Sequence, residues 1–216
     1  MLRDIEAVIF DLDGTLIDSM WVWKSIDMEY LGKRNISVPR ELNKELEGMS
    51  FEEVAEFFKD RFDIEDSVEE IVAEWNKMAW DKYENEVKLK PGVREFLKYL
   101  KNNNIKTGIA TSNSRSLAKL VLKANNIDKY IDKIVTSTEV SKGKPEPDVY
   151  LKAAEELEQN PSTCLVFEDV LNGMIAGKRA HMKVCAVYDE ASHASYEEKS
   201  KVADYIIDDM TEIVFI

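Results

Sequence analysis

Apolar residues fall into two rhythms along this chain. Near the N-terminus Ala7-Val8-Ile9-Phe10 form an uninterrupted apolar run that ends at turn-forming residues, the pattern of a buried strand. From residue 17 to residue 86 the apolar positions recur at helical spacing instead, and no convincing strand interrupts them. This block predicts a bundle of four helices: residues 20–31, capped near Asp18 or Ser19; residues 42–46; a third that opens with a Ser50 to Glu53 capping box; and residues 67–83, where Val68, Ile71, Val72, Trp75 and Ala79 keep the period. Leu89-Lys90-Pro91-Gly92 punctuates the chain. Beyond it, amphipathic helices at 93–101, 116–124, 149–157 and 171–180 alternate with strands at 105–110, 134–135, 165–167 and 184–187, and residues 205–207 read as an edge strand.

Alternating strands and helices imply parallel βαβ units in a doubly wound α/β sheet. The first strand then belongs to a sheet whose other strands arrive only after residue 100, so the helical block is an insert. Residues 1–16 and 87–216 are expected to form the core and residues 17–86 a second, helical domain. A chain of 216 residues is long enough for this arrangement.

Charge narrows the partners. The formal net charge of −13 argues against nucleic acid and against anionic membrane surfaces, both of which require clustered Lys and Arg. Residues 17–86 hold 19 acidic against 9 basic side chains, so the helical block carries most of that charge. Cys164 and Cys185 lie in apolar strands and read as free core thiols, which suits a reducing compartment. With no signal-peptide pattern and no apolar stretch long enough to cross a bilayer, the expectation is a soluble, cytoplasmic protein.

The chemistry collects at strand ends, where open α/β sheets bind ligands. The first strand delivers Asp11 and Asp13 to one mouth, with Gly14 allowing a sharp turn. Two such carboxylates repel unless a hard cation lies between them or one holds a proton for acid/base work; a turn with helix-capping acids is the bland alternative. The 105–110 strand runs into Thr111-Ser112-Asn113-Ser114, which fits either an anion site at a helix N-terminus or plain capping. Lys144, in Gly143-Lys144-Pro145-Glu146-Pro147, is a cation held by a following proline, or else one of many solvated lysines. Leu165-Val166-Phe167 ends in Glu168-Asp169, a second acid-tipped strand whose carboxylates can converge with the first pair on one Mg²⁺. His181 and His193 lack metal-ligand spacing.

Phe10-Asp11-Leu12-Asp13-Gly14-Thr15-Leu16 resembles the first motif of the haloacid-dehalogenase-like hydrolase superfamily, and the layout of the whole chain is similar to its helically capped branch. The resemblance implies a Rossmann-like core and a cap inserted just after the first motif. It makes Asp11 the nucleophile and Asp13 the general acid/base. Thr111 becomes the phosphate-binding residue of the second motif, with Ser112, Asn113 and Gly14 beside the phosphate, and Lys144 the lysine that holds nucleophile and phosphate together. Mg²⁺ would be bound by Asp11, the Asp13 backbone carbonyl and Asp169, with Glu168 acting directly or through water.

The implied reaction is hydrolysis of a small phosphomonoester through an aspartyl-phosphate. A phosphosugar mutase of the β-phosphoglucomutase type is the nearer alternative, although such mutases carry a cap arginine where this chain has Phe51 after Gly48-Met49-Ser50. A non-catalytic phosphoacceptor switch of the response-regulator type is the remote one. In the first cap helix Val22, Trp23, Ile26 and Tyr30 share one face, and Met20, Trp21, Met28 and Leu31 the other; Trp21, Trp23 and Phe51 are candidate substrate contacts, with core packing as the equally weighted alternative.

Overall fold

The computed structural model describes residues 1–39, 42, 46, 51–192 and 194–213. The expected 42–46 helix, the Gly48-Met49-Ser50 turn, the Ser50 capping box, His193 and the side chain of Phe51 lie outside the described residues. Two compact units divide the chain, Met1–Ser19 with Val87–Ile216, and Met20–Glu86.

The first unit is a six-stranded, wholly parallel sheet. Strands β1 (Ala7–Phe10), β4 (Lys106–Thr111), β5 (Lys133–Thr136), β6 (Cys164–Glu168), β7 (Lys183–Val187) and β8 (Tyr205–Ile207) stand in the order β5-β4-β1-β6-β7-β8. The predicted edge strand is therefore at an edge. Strand β1 is central because all four of its residues are apolar and fully buried, which suits a strand covered on both faces. Its residues alternate between the faces. Ala7 and Ile9 join a cluster with Tyr150, Ala153 and Met174, whereas Phe10 turns the other way, 5.2 Å from the Phe167 ring and 5.9 Å from Phe96.

Register sets the site. Phe10 stands level with Ile109 on one side and Phe167 on the other, so Asp11 just after β1, Thr111 at the end of β4 and Glu168-Asp169 at the end of β6 emerge at the same end of the sheet. A short antiparallel ribbon missing from the sequence reading, β2 (Ile17–Asp18) with β3 (Lys88–Leu89), pairs the two points where the chain leaves and re-enters this unit. It keeps residues 17–19 with the core, three residues beyond the boundary expected from sequence.

The second unit contains, among its described residues, helices α1 (Met20–Lys33), α2 (Phe51–Phe62) and α3 (Val68–Asn85). Tyr30, Phe58 and Trp75 interlock, with ring centroids 4.9 to 6.4 Å apart. Ser67 caps α3 through a reciprocal box with Glu70. No helix among the described residues is long and apolar enough to cross a membrane.

Candidate active site

Four of the expected residues meet at the end of β1 and β6. Lys144 donates to Asp11 Oδ1 at 2.5 Å and to Glu168 Oε1 at 2.7 Å. Its ammonium also lies 5.1 Å from the Tyr150 ring centroid. Oxygens of Asp11, Glu168 and Asp169 lie within 4.8 Å of one another, and all three residues are buried. Burial would lower the pKa of Lys144, but the charges of Asp11 and Glu168 outweigh it and hold the pKa well above the ordinary value. Burial raises the Asp11 carboxyl, Lys144 opposes that, and the Glu168 and Asp169 charges raise it further.

Three buried carboxylates against one ammonium leave negative charge uncompensated. Asp169 shows this most clearly: Oδ1 accepts from the Thr15 hydroxyl at 2.9 Å, whereas the buried Oδ2 has no hydrogen-bond partner among the described residues. A Cβ on Gly14 would lie 2.5 Å from that same oxygen, so the glycine, at φ +82°, leaves room beside it. An orphaned carboxylate oxygen among hard oxygen donors fits a divalent cation of the Mg²⁺ class.

Glu168 is committed elsewhere. Oε1 accepts from Lys144 and from the Tyr150 hydroxyl at 3.0 Å, and Oε2 accepts from the Val170 N–H at 3.0 Å. With Oε1 filled by Lys144 and Tyr150, Glu168 anchors Lys144, and Oε2 keeps one lone pair beside its bond to Val170.

Asp13 stands apart from this cluster. Oδ1 accepts from the Ser19 hydroxyl at 2.7 Å and Oδ2 from the Asn113 side-chain amide at 3.0 Å. Asn113, a candidate phosphate neighbour, orients Asp13 with its side chain, and its backbone N–H donates to Thr111 Oγ1 at 3.0 Å. That bond leaves the Thr111 hydroxyl proton for another acceptor. Ser112 lies beside Ser137, with hydroxyls 3.4 Å apart. Capping falls to Ser114, which accepts from the Leu117 N–H at the start of the helix Arg115–Ala124. The Gly14 amide, also expected at the phosphate, donates instead to the Ile17 carbonyl at 3.0 Å, because the chain folds back on itself there. A trans peptide then points the Asp13 carbonyl away from Ile17 and leaves it outside that turn.

Trp21 and Trp23 belong to the helical unit. Trp21 is 37% exposed, and the Lys82 ammonium lies 5.8 Å from its ring centroid, a contact within the unit; Trp23 is half-buried. Sequence reasoning gave no role to Thr15, Lys90, Tyr150 or Ser192 and gave Ser19 only that of a helix cap, yet all five bond to site residues. For Thr15 the signal was present, since it lies inside the first motif.

An aspartate at a strand end, the lysine bonded to it and a cluster of buried carboxylates thus gather at one end of a parallel sheet. A profile of haloacid dehalogenase-like hydrolases matches residues 8–187, and the chain belongs to that family. It is 30% identical over 214 residues to hexitol phosphatase B of Escherichia coli, covering 98% of this chain and 95% of that protein. To the phosphorylated carbohydrates phosphatase of Thermotoga maritima it is 31% identical over 176 residues, 82% of each chain. The β-phosphoglucomutase of Clostridium difficile superposes with a TM-score of 0.76 at 26% identity, covering 98% of this chain and 94% of the other.

Proposed function

We propose that the chain is a Mg²⁺-dependent phosphatase that hydrolyses a small phosphomonoester through an aspartyl-phosphate on Asp11. The observation that carries this is the placement of Asp11, bonded to Lys144 and set against the unpartnered Asp169 oxygen. Asp11, Asp169 and the Asp13 carbonyl would hold the ion, with Glu168 one shell out. Bound there, Mg²⁺ supplies positive charge that offsets repulsion between an anionic nucleophile and an anionic phosphate.

The protein's own groups carry the steps. An Asp11 oxygen attacks phosphorus and forms an acyl-phosphate bond as the ester P–O bond breaks. Asp13 delivers a proton to the departing alkoxide. Water then attacks the same phosphorus, gives a proton to Asp13 and releases phosphate, which restores the Asp11 carboxylate. Lys144 and the Thr111 hydroxyl neutralise charge on the non-reacting phosphoryl oxygens. Ser19 and Asn113 hold Asp13 in place between its two proton transfers.

Kinship to phosphatases of phosphorylated carbohydrates and hexitols supports a small phosphorylated substrate. The likeness to a β-phosphoglucomutase favours a second reading, a phosphosugar mutase, against which stands Phe51 at the position of the mutases' cap arginine. A panel of phosphate esters with Mg²⁺ tests both. Continuous release of phosphate, lost in Asp11→Asn and in excess chelator, is the expected result. Turnover that survives chelation removes the ion from the reading, and efficient conversion of β-glucose 1-phosphate to glucose 6-phosphate, primed by the bisphosphate, selects the mutase.

A further inference from the structure

Lys90 lies in the Leu89-Lys90-Pro91-Gly92 break, where the sequence pattern assigns it no chemistry. In the fold its side chain is only 11% exposed, and its ammonium donates to three acceptors: the Gly14 carbonyl at 2.8 Å, the Tyr188 carbonyl at 2.6 Å and Asp189 Oδ2 at 2.8 Å. Three acceptors saturate an ammonium. A buried charge left short of partners is costly, so this set specifies one geometry.

The acceptors belong to two loops. Gly14 is in the turn after β1, next to Asp13; Tyr188 and Asp189 follow β7. The second loop reaches the acid pair after β6. Asp189 Oδ1 accepts from the Ala191 N–H at 2.9 Å, and the Ser192 hydroxyl donates to the Asp169 backbone carbonyl at 2.8 Å. A continuous chain of bonds therefore runs from the Asp13-Gly14 turn through Lys90, Asp189 and Ser192 to Asp169.

We propose that Lys90 is a positioning residue for the divalent-ion site, fixing the separation between the Asp11-Asp13 turn and Asp169 through Asp189 and Ser192. The inference rests on the carboxylate cluster being that ion site. Charge and position make opposite predictions for Lys90. As a nearby cation it repels Mg²⁺, so a purely electrostatic role means tighter binding once it is removed. As a positioning group it means weaker binding, because the ligands lose their spacing.

The test is calorimetric titration of Mg²⁺ into the full chain without substrate, for the wild type, Lys90→Met, Asp189→Asn, the double variant and Ser192→Ala, each checked for native near-UV circular dichroism. Methionine keeps the apolar stem and deletes the donors. Lys90→Met is expected to weaken Mg²⁺ binding about tenfold or more. The double variant should bind no more weakly than the worse single one, since both cut the same chain of bonds. In the assay, excess Mg²⁺ should restore most of the turnover of Lys90→Met. Should Lys90→Met fail to fold, Ser192→Ala decides: a several-fold weakening supports the proposal and unchanged affinity overturns it. Unchanged or tighter binding by folded Lys90→Met overturns it directly. A wild-type chain that binds no Mg²⁺ overturns the ion site together with this inference, whereas wild-type binding with unaffected variants overturns the positioning role alone.

Discussion

Single residues at this site are legible by what they lack or cannot spare. Burial first, then the charges of Glu168 and Asp189, push the Asp169 carboxyl up from its ordinary 3.8 to about 7, against the Thr15 bond. A carboxyl raised in the folded state stabilises the fold below its unfolded pKa and loses that contribution as pH rises through the folded value. Without metal, this group therefore costs the protein stability as pH climbs from about 4 to about 7. Because proton and cation compete for one carboxylate, added Mg²⁺ should raise Tm more at about pH 8 than at about pH 6, as measured by scanning calorimetry. Equal shifts at both would separate Asp169 from the ion. Gly173 is fixed by a different constraint: a Cβ there would come within 1.6 Å of Glu168 Oε1. Glu168 cannot move aside without losing Lys144, Tyr150 or the Val170 N–H, so Gly173→Ala should cut kcat/KM by tenfold or more and lower Tm. Wild-type kinetics in that variant would show that Lys144 does not depend on Glu168. Asp11, Lys144, Glu168 and Asp169, singled out in local motifs, are the residues that the fold brings together. Thr15 could not be assigned a partner 154 positions away, because no periodicity encodes a contact made by register.

Elements were legible where their apolar pattern was long. The buried strands announce themselves by unbroken apolar runs, and the helix predicted at 67–83 forms over Val68–Asn85. The β2–β3 ribbon, two residues on each side, is shorter than any pattern can signal, and it exists because distant chain segments meet. On α1 the sequence offered two apolar faces. Val22, Ile26 and Tyr30 of the first are buried and Met28 of the second is 57% exposed, but Leu31, placed on the second, is fully buried, as a residue adjacent to Tyr30 at the edge of the apolar stripe can be. The Ser67 cap gives an element-scale prediction. Ser67→Ala removes the half of the box in which the Ser67 hydroxyl accepts from the Glu70 N–H, keeps the half in which the residue 67 N–H donates to Glu70, and should destabilise the helical unit by about 1 kcal/mol in urea unfolding, with kcat unaffected. A loss of turnover at saturating substrate would tie the cap's stability to chemistry more closely than the fold suggests.

At the scale of the molecule, charge and sheet topology act together. The helical unit concentrates acid, and several of its cations are spent on it: Arg34 pairs with Asp66 and Glu74, Lys33 with Glu74, and Lys82 with Glu29 at 3.6 Å. A substrate bearing a second phosphate would meet a chain of net charge −13, so sugar bisphosphates should be poor substrates and monophosphates with a neutral leaving group better ones, as kcat/KM values at low ionic strength would show. The sheet order brings the ends of β4, β1 and β6 side by side; the alternation of strand and helix made the parallel sheet legible in the sequence, whereas the order of its strands is set by long-range pairing that no local pattern encodes. Substrate identity was not readable, because it depends on side chains outside the catalytic motifs. The central claim concerns one atom's destination, and rapid-quench mass spectrometry of Asp13→Asn mixed with p-nitrophenyl phosphate and Mg²⁺ tests it most directly. A good leaving group needs little proton assistance, so the first step should proceed while dephosphorylation stalls. The account predicts one phosphoryl group accumulating on Asp11; a phosphoryl group on any other residue, or steady phosphate release with Asp11 never modified, would contradict it.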